Sequence, residues 1–144
     1  MKKYELIREG KLFRIIALKD FNGVRKGYFG GLIEKESNLS QKNECWIHEN
    51  AKVTGNAKVT GNAEIYGNAK VYGDAKVYGN AEVSGNAEVS GNAEVTGNAE
   101  VSGNAQIFGN TLVSGDALVS GDAEVSGNAL VFGNALVLNT GFFN

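Results

Sequence analysis

The sequence predicts an all-β fold, a single-stranded parallel β-solenoid with triangular coils and three six-residue units per coil. A six-residue unit repeats from Ala51 onward, and the first fourteen units all have Val or Ile third, Gly fifth and Asn or Asp sixth. Apolar and polar residues alternate within each unit, as they do in a β-strand. The 144 residues include 20 glycines and no proline. Such a short fixed period is typical of stacked repeats.

Each unit is predicted to form one short strand and one bend. Ala and Val point inward, and the residues after them point outward. Gly and Asn enter positive φ most easily, so both are expected at the corner. Three bends close a coil of 18 residues, and fifteen units make about five coils. Corner Asn side chains of successive coils are expected to bond in ladders.

The pattern divides the chain into three segments. Residues 1–44 are predicted to form a β-rich cap, with apolar stretches at 12–21 and 24–34 joined by an Asn-Gly turn at 22–23. Residues 45–140 form the solenoid, beginning with the imperfect unit CWIHEN, and 141–144 form a tail. A cap protects the unpaired edge of an end coil. Within CWIHEN, Cys45 is expected inside and Trp46 outside, beneath the cap.

Two stretches resemble known families. The repeats of residues 45–140 resemble the left-handed β-helix, or hexapeptide-repeat, superfamily. Left-handedness is implied by that resemblance alone, since the general crossover preference is right-handed. The segment IIALKDFNGVRKGYFGGLIEKESNLSQKNECWIHENAKV, residues 15–53, resembles the leader of YdcK-like bacterial and phage proteins, many described only as transferases. The resemblance implies a phage or mobile element as one setting.

Composition limits the classes of partner. One cysteine leaves no internal disulfide. No apolar run reaches 18 residues and MKKYELIREGK lacks the apolar stretch of a signal peptide, so a soluble cytoplasmic protein without a membrane contact is expected. Residues 1–44 hold ten Lys or Arg against six Asp or Glu, and 45–144 hold four against ten. The acidic body argues against a nucleic-acid contact, for which the candidates are Lys2, Lys3, Arg8, Lys11, Arg14, Arg25 and Lys26.

An apolar patch is predicted on the outward positions of the last units. Residues 18 apart stack in columns, and apolar side chains gather on two faces: Leu112, Leu118, Leu130, Phe132, Leu136 and Leu138. Such a patch usually has a partner. A homo-oligomer interface is favoured, an unknown protein partner is a further possibility, and cover by the chain's own Phe142 and Phe143 is the alternative.

Two sets of outward polar side chains are candidate binding sites. Glu64, Glu82 and Glu100 stack with a spacing that could hold a hard cation, but a solvated acidic face is the favoured interpretation. We therefore expect neither a metal nor a cofactor. Three tyrosines fall one on each face, where cross-strand packing is favoured over ligand binding; they are Tyr66, Tyr72 and Tyr78.

The resemblance raises two enzyme classes. γ-Class carbonic anhydrases of the superfamily bind zinc with three histidines, and a single His excludes that activity. Its acyltransferases typically use a His base, for which His48 is the candidate, with Glu49 beside it and Tyr66 one coil on. Residues 51–140 contain no insertion to wall a cleft. The predicted function is a non-catalytic structural or interaction module; an acyl-CoA-dependent acyltransferase, intact or degenerate, is the alternative.

Overall fold

A computed structural model describes residues 2–138, which are strands and turns apart from one 3-10 turn at Glu36–Asn38. Three longer strands come first: β1 (Tyr4–Glu9), β2 (Leu12–Ala17) and β3 (Phe29–Ile33). Sixteen two-residue strands follow: β4 (Trp46–Ile47), β5 (Lys52–Val53), β6 (Lys58–Val59), β7 (Glu64–Ile65), β8 (Lys70–Val71), β9 (Lys76–Val77), β10 (Glu82–Val83), β11 (Glu88–Val89), β12 (Glu94–Val95), β13 (Glu100–Val101), β14 (Gln106–Ile107), β15 (Leu112–Val113), β16 (Leu118–Val119), β17 (Glu124–Val125), β18 (Leu130–Val131) and β19 (Leu136–Val137).

The short strands stack into three parallel sheets, one on each face. The first face is β5-β8-β11-β14-β17, the second is β6-β9-β12-β15-β18, and the third is β4-β7-β10-β13-β16-β19. Residues 18 apart are in register, so Val89 lies opposite Val71 and Ile107. The predicted parallel β-solenoid is confirmed.

About six coils are present, one more than the repeats predict. β3 runs parallel to β5, with Leu32 opposite Lys52, and Leu39 forms a parallel bridge to Val59. Together with β4 these residues make a first coil before the regular units begin. The period could not reveal this coil because residues 34–50 lack the corner glycine, and the path from Leu39 to Ile47 is two residues longer than that from Val59 to Ile65.

The interior has the predicted composition. From Ala51 to Val137, the third-position Val and Ile side chains are buried, as are the first-position Ala side chains as far as Ala129. Val89, in the middle of the stack, has 0% exposure. Valine stacked on valine therefore fills the coils, as the alternation predicts.

Gly and Asn of each unit form the turn, as predicted. Only the glycine adopts positive φ there: Gly91 has a φ of 66°, and the other corner glycines are similar. Within residues 2–138, Asn22 and Asn43 are the only non-glycine residues with positive φ, and both precede the regular repeats. The side chain of the unit's Asn forms the predicted ladder, as where Asn80 donates to Asn98 at 3.3 Å.

The cap is an antiparallel addition to the first face. β1 pairs with β2, and β2 with β3. The predicted turn is present, because Phe21 and Val24 exchange backbone hydrogen bonds of 2.9 and 2.6 Å around Asn22 and Gly23. β1 lies outside the two stretches from which the cap was predicted.

A buried lysine fastens the start of the chain to the first coil. The Nζ of Lys3, with 0% exposure, donates to the carbonyl oxygen of Cys45 at 2.7 Å and lies 3.3 Å from its Sγ. It also donates to the carbonyls of Lys42 and Asn43. Burial lowers the pKa of Lys3 and raises the pKa of the Cys45 thiol. Cys45 points inward as predicted.

Two further predictions concern the chain's surroundings and its tail. No helix within residues 2–138 has both the length and the apolar character needed to cross a bilayer. The predicted cover by Phe142 and Phe143, with the rest of the segment 141–144, lies outside the described residues.

Candidate functional site

The cap covers one face of the first coil and leaves His48 beside it. Trp46 points outward on the third face and is 2% exposed, because it packs edge-on against Phe21 and Tyr4 at ring-centroid distances of 5.3 and 6.3 Å. This confirms the position predicted for Trp46. Because Trp46 is buried against the cap, His48 is the first accessible polar side chain of that face.

His48 forms a pair with a carboxylate from the next coil. Its Nε2 lies 3.1 Å from Oε1 of Glu64, and its ring packs against Tyr66 with centroids 4.7 Å apart. The two side chains are 36% and 19% exposed. The sequence suggested Glu49 as the neighbour. The structure brings up Glu64 instead, because Glu64 stands opposite Trp46 and is therefore the diagonal neighbour of His48.

The pair could orient an imidazole for proton transfer. A carboxylate on Nε2 favours the tautomer with hydrogen there and leaves Nδ1 as the acceptor. Asn22 donates to the second oxygen of Glu64 at 3.5 Å, so the cap turn holds the carboxylate. From Lys52 to Leu136 a strand begins every six residues without an inserted loop. The described solenoid thus supplies an oriented base but no projecting wall around an acceptor.

The carboxylates of the acidic column stack in register on the third face. Glu82 pairs in register with Glu64 and Glu100, but Glu64 is already bound by His48 and Asn22. Within residues 2–138 no three His, Cys, Asp or Glu side chains are grouped to hold a metal ion. Burial, and then the charges of Glu100 and Glu64, raise the pKa of Glu82. Burial, with the charges of Glu64 and Glu82, also raises the pKa of Tyr66 to about 12.

Replacing Glu82 with Gln is expected to raise the thermal midpoint at pH 7, because it removes a carboxylate that is costly to ionise between two others. The folded-state pKa of Glu82 is raised, so its protonation stabilises the fold and the advantage of Glu82→Gln disappears as pH falls through that pKa. Thermal melts from pH 7 to pH 3 measure this. Glu124→Gln, opposite the neutral Gln106, is the control and is expected to change little. A Glu82→Gln advantage that persists at pH 3 would contradict the repulsion.

The other two tyrosines fasten neighbouring coils. The Tyr72 hydroxyl donates to Glu88 at 3.0 Å and the Tyr78 hydroxyl to Glu94 at 2.8 Å. Each bond joins a residue to one 16 positions later. The predicted cross-strand role of these side chains is confirmed by these bonds.

The predicted apolar patch is exposed mainly in the last coil. We call Leu130, Phe132, Leu136 and Leu138 the C-terminal apolar surface; they are 57%, 60%, 60% and 46% exposed. The patch is smaller than predicted. Leu112 and Leu118 are only half-exposed, because Leu130 and Leu136 stack directly on them. β17, β18 and β19 each end their sheet within the described residues.

The basic residues of the cap do not form one free set. Lys3 is buried, and Arg14 binds Glu9 at 2.6 Å as well as the carbonyls of Gly30 and Glu49. Including these two among the nucleic-acid candidates was therefore wrong. Their charges hold the cap together.

Comparison with known proteins finds two partial similarities. The repeat described as "YdcK Beta solenoid repeat" matches residues 105–121, within the stacked coils. A protein of Escherichia coli strain K12, named "Uncharacterized acetyltransferase YdcK", is 36% identical over a stretch covering 34% of this chain. Over these repeats the chain is similar to YdcK-like β-solenoid proteins. The match spans 19% of the length of that relative. The matched repeat includes Leu112 and Leu118, on which Leu130 and Leu136 of the C-terminal apolar surface stack.

Proposed function

We propose that this YdcK-like solenoid is a non-catalytic, rigid interaction module that joins a second copy of itself through the C-terminal apolar surface. The observation that carries the proposal is the exposure of four large apolar side chains close together in the last described coil. Large apolar groups gathered in this way are typical of a protein contact.

The composition of this end favours a second copy over a charged partner. Residues 129–138 read ALVFGNALVL and carry no charged side chain. An apolar surface can meet its own copy around a two-fold axis without complementary charges.

The repetition of the solenoid supports a role without catalysis. Catalysis brings unlike groups to one point, whereas the units from Lys52 onward repeat nearly the same surface. The rigid stack of about six coils suits spacing or binding along its length.

Changing Leu130 and Leu136 together to Lys is expected to lower the solution mass to that of one chain. Both side chains are more than half exposed, so the substitution places charges in the contact without disturbing the core. Light scattering measures the mass, and circular dichroism checks the fold. Ile7→Lys, an exposed aliphatic residue in the cap, is the matched control and should leave the mass unchanged. An unaltered mass in the double variant would contradict the proposed surface.

The alternative is an acyl-CoA-dependent acyltransferase, intact or degenerate, and the His48–Glu64 pair favours it together with the name of the Escherichia coli relative. In that reaction His48 would take the proton of an acceptor as the acceptor attacks the thioester carbonyl, and coenzyme A would leave as the thiol after receiving a proton. Acetyl-coenzyme A should then raise the thermal midpoint, and His48→Asn should abolish acetyl transfer. An unchanged thermal midpoint with acetyl-coenzyme A, together with no acetyl transfer by the wild-type chain, would exclude this alternative.

A further inference from the structure

Two faces of the solenoid carry the same outward array of five side chains. On the first face it is Lys52, Thr54, Lys70, Tyr72 and Glu88; on the second it is Lys58, Thr60, Lys76, Tyr78 and Glu94. The third face differs, because Trp46 lies under the cap and Glu64 occupies a lysine position. The array therefore occurs on the first and second faces and not on the third.

In each array two lysines stand directly opposite one another. Lys52 pairs in register with Lys70, and Lys58 with Lys76, on adjacent parallel strands about 4.8 Å apart. All four lysine side chains are exposed. None of them takes part in an ion pair with another residue of the range 2–138. Directly opposed like charges destabilise a sheet. A bound anion would remove this repulsion.

The tyrosine of each array hydrogen-bonds the carboxylate that stands opposite the second lysine. Tyr78 donates to Glu94 at 2.8 Å, and Tyr72 donates to Glu88 at 3.0 Å. On the second face, the side chains of the array line a shallow groove. Its lining supplies two ammonium groups and the hydroxyl of Thr60, beside Tyr78 and the hydrogen-bonded carboxylate of Glu94.

We propose that each array binds one phosphate group, so that the chain holds two equivalent phosphate sites. Two ammonium groups at the strand spacing can each donate to a different oxygen of a tetrahedral anion, and the threonine hydroxyl can donate to a third. Lysine is a compact point charge suited to phosphate. The inference is independent of the C-terminal apolar surface, which lies at the other end of the repeats.

The carboxylate at the C-terminal end of each array limits the size of the ligand. Going toward the C-terminus, the next outward residues in the two columns are Glu88 and Glu94. A long polyanion running along the axis would bring its next phosphates against these carboxylates. The sites therefore fit a free phosphate or a small phosphate monoester, rather than a nucleic-acid strand.

The test is a titration of the full chain with inorganic phosphate and, separately, methyl phosphate in a low-salt buffer, followed by amide NMR shifts of Thr54 and Thr60. Saturable shifts at both threonines are expected. Lys58→Gln with Lys76→Gln should weaken binding at Thr60 by about tenfold or more and spare Thr54. Lys52→Gln with Lys70→Gln should do the reverse.

The two double variants control for each other, since each removes two positive charges. Saturation by methyl phosphate as well as phosphate assigns the sites to monoesters, and saturation by phosphate alone assigns them to the free ion. Shifts that fail to saturate, or that fall equally at both threonines in either variant, would overturn the proposal, because they indicate attraction by net charge alone. Tighter binding of single-stranded oligothymidylate than of methyl phosphate would overturn the restriction to small ligands.

Discussion

Replacing Val89 with Asp is expected to unfold or fray the middle coils. Val89 is fully buried and stacks between Val71 and Ile107, in an interior of valine, isoleucine and alanine. A carboxylate there has no partner and loses its hydration, which costs about 4 kcal/mol or more. That is a large part of the stability of a domain of this size. Because each coil contacts only its neighbours, the damage should be greatest around the changed coil.

Thermal denaturation followed by circular dichroism measures the loss for Val89→Asp, and hydrogen exchange locates it. Glu88→Gln is the matched control, since its side chain lies one residue away on the outer surface. The control should melt near the wild type. A wild-type midpoint for Val89→Asp would refute the inward assignment of the valines.

Replacing Gly91 with Ala is expected to have the second largest effect, on the order of 3 kcal/mol. Gly91 has a φ of 66°, where an L side chain is strained. A Cβ added there would lie 2.8 Å from the backbone nitrogen of Gly109 in the next coil, which cannot move without separating the coils. The substitution therefore combines backbone strain with a clash between stacked corners.

Gly133→Ala separates these two causes. Gly133 has a similar φ of 68°, but an added Cβ would meet no described atom within 4 Å. Chemical denaturation of both variants should give a loss of about 1–2 kcal/mol for Gly133→Ala, from strain alone, and a clearly larger loss for Gly91→Ala. Equal losses would show that close stacking of the corners contributes nothing.

The repeating part of the fold is predictable because the same six-residue pattern occurs many times. The alternation of Ala and Val with polar residues fixes which side chains are inside, and a glycine every sixth residue fixes the corners. The asparagine ladder follows from the 18-residue register. Stacking of like units leaves few other arrangements for such a chain.

The cap and the first coil could not be predicted to the same depth, because they are not periodic. Leu32 and Leu39 join the stack through residues that lack the corner glycine, and the chain between Leu39 and Ile47 is two residues longer than in the regular coils. Lys3 is buried only because three carbonyls from one loop converge on its Nζ. Nothing in its sequence neighbourhood distinguishes it from the exposed Lys2.

The candidate site was predicted in part. The sequence identified His48 because it is the only histidine, and Tyr66 through the 18-residue column. It missed Glu64 as the partner of His48, since a diagonal contact depends on side-chain direction as well as on register. The column of Glu64 itself was available as a signal.

The solution mass of the wild-type chain, measured by light scattering over a concentration series with and without acetyl-coenzyme A, tests the central claim most directly. If the solenoid self-associates, its mass exceeds that of one chain and rises with concentration. Acetyl-coenzyme A does not change this mass. The mass of a single chain at every concentration would contradict the claim. A trimer that forms or is stabilised only with acetyl-coenzyme A would replace it with the acyltransferase alternative.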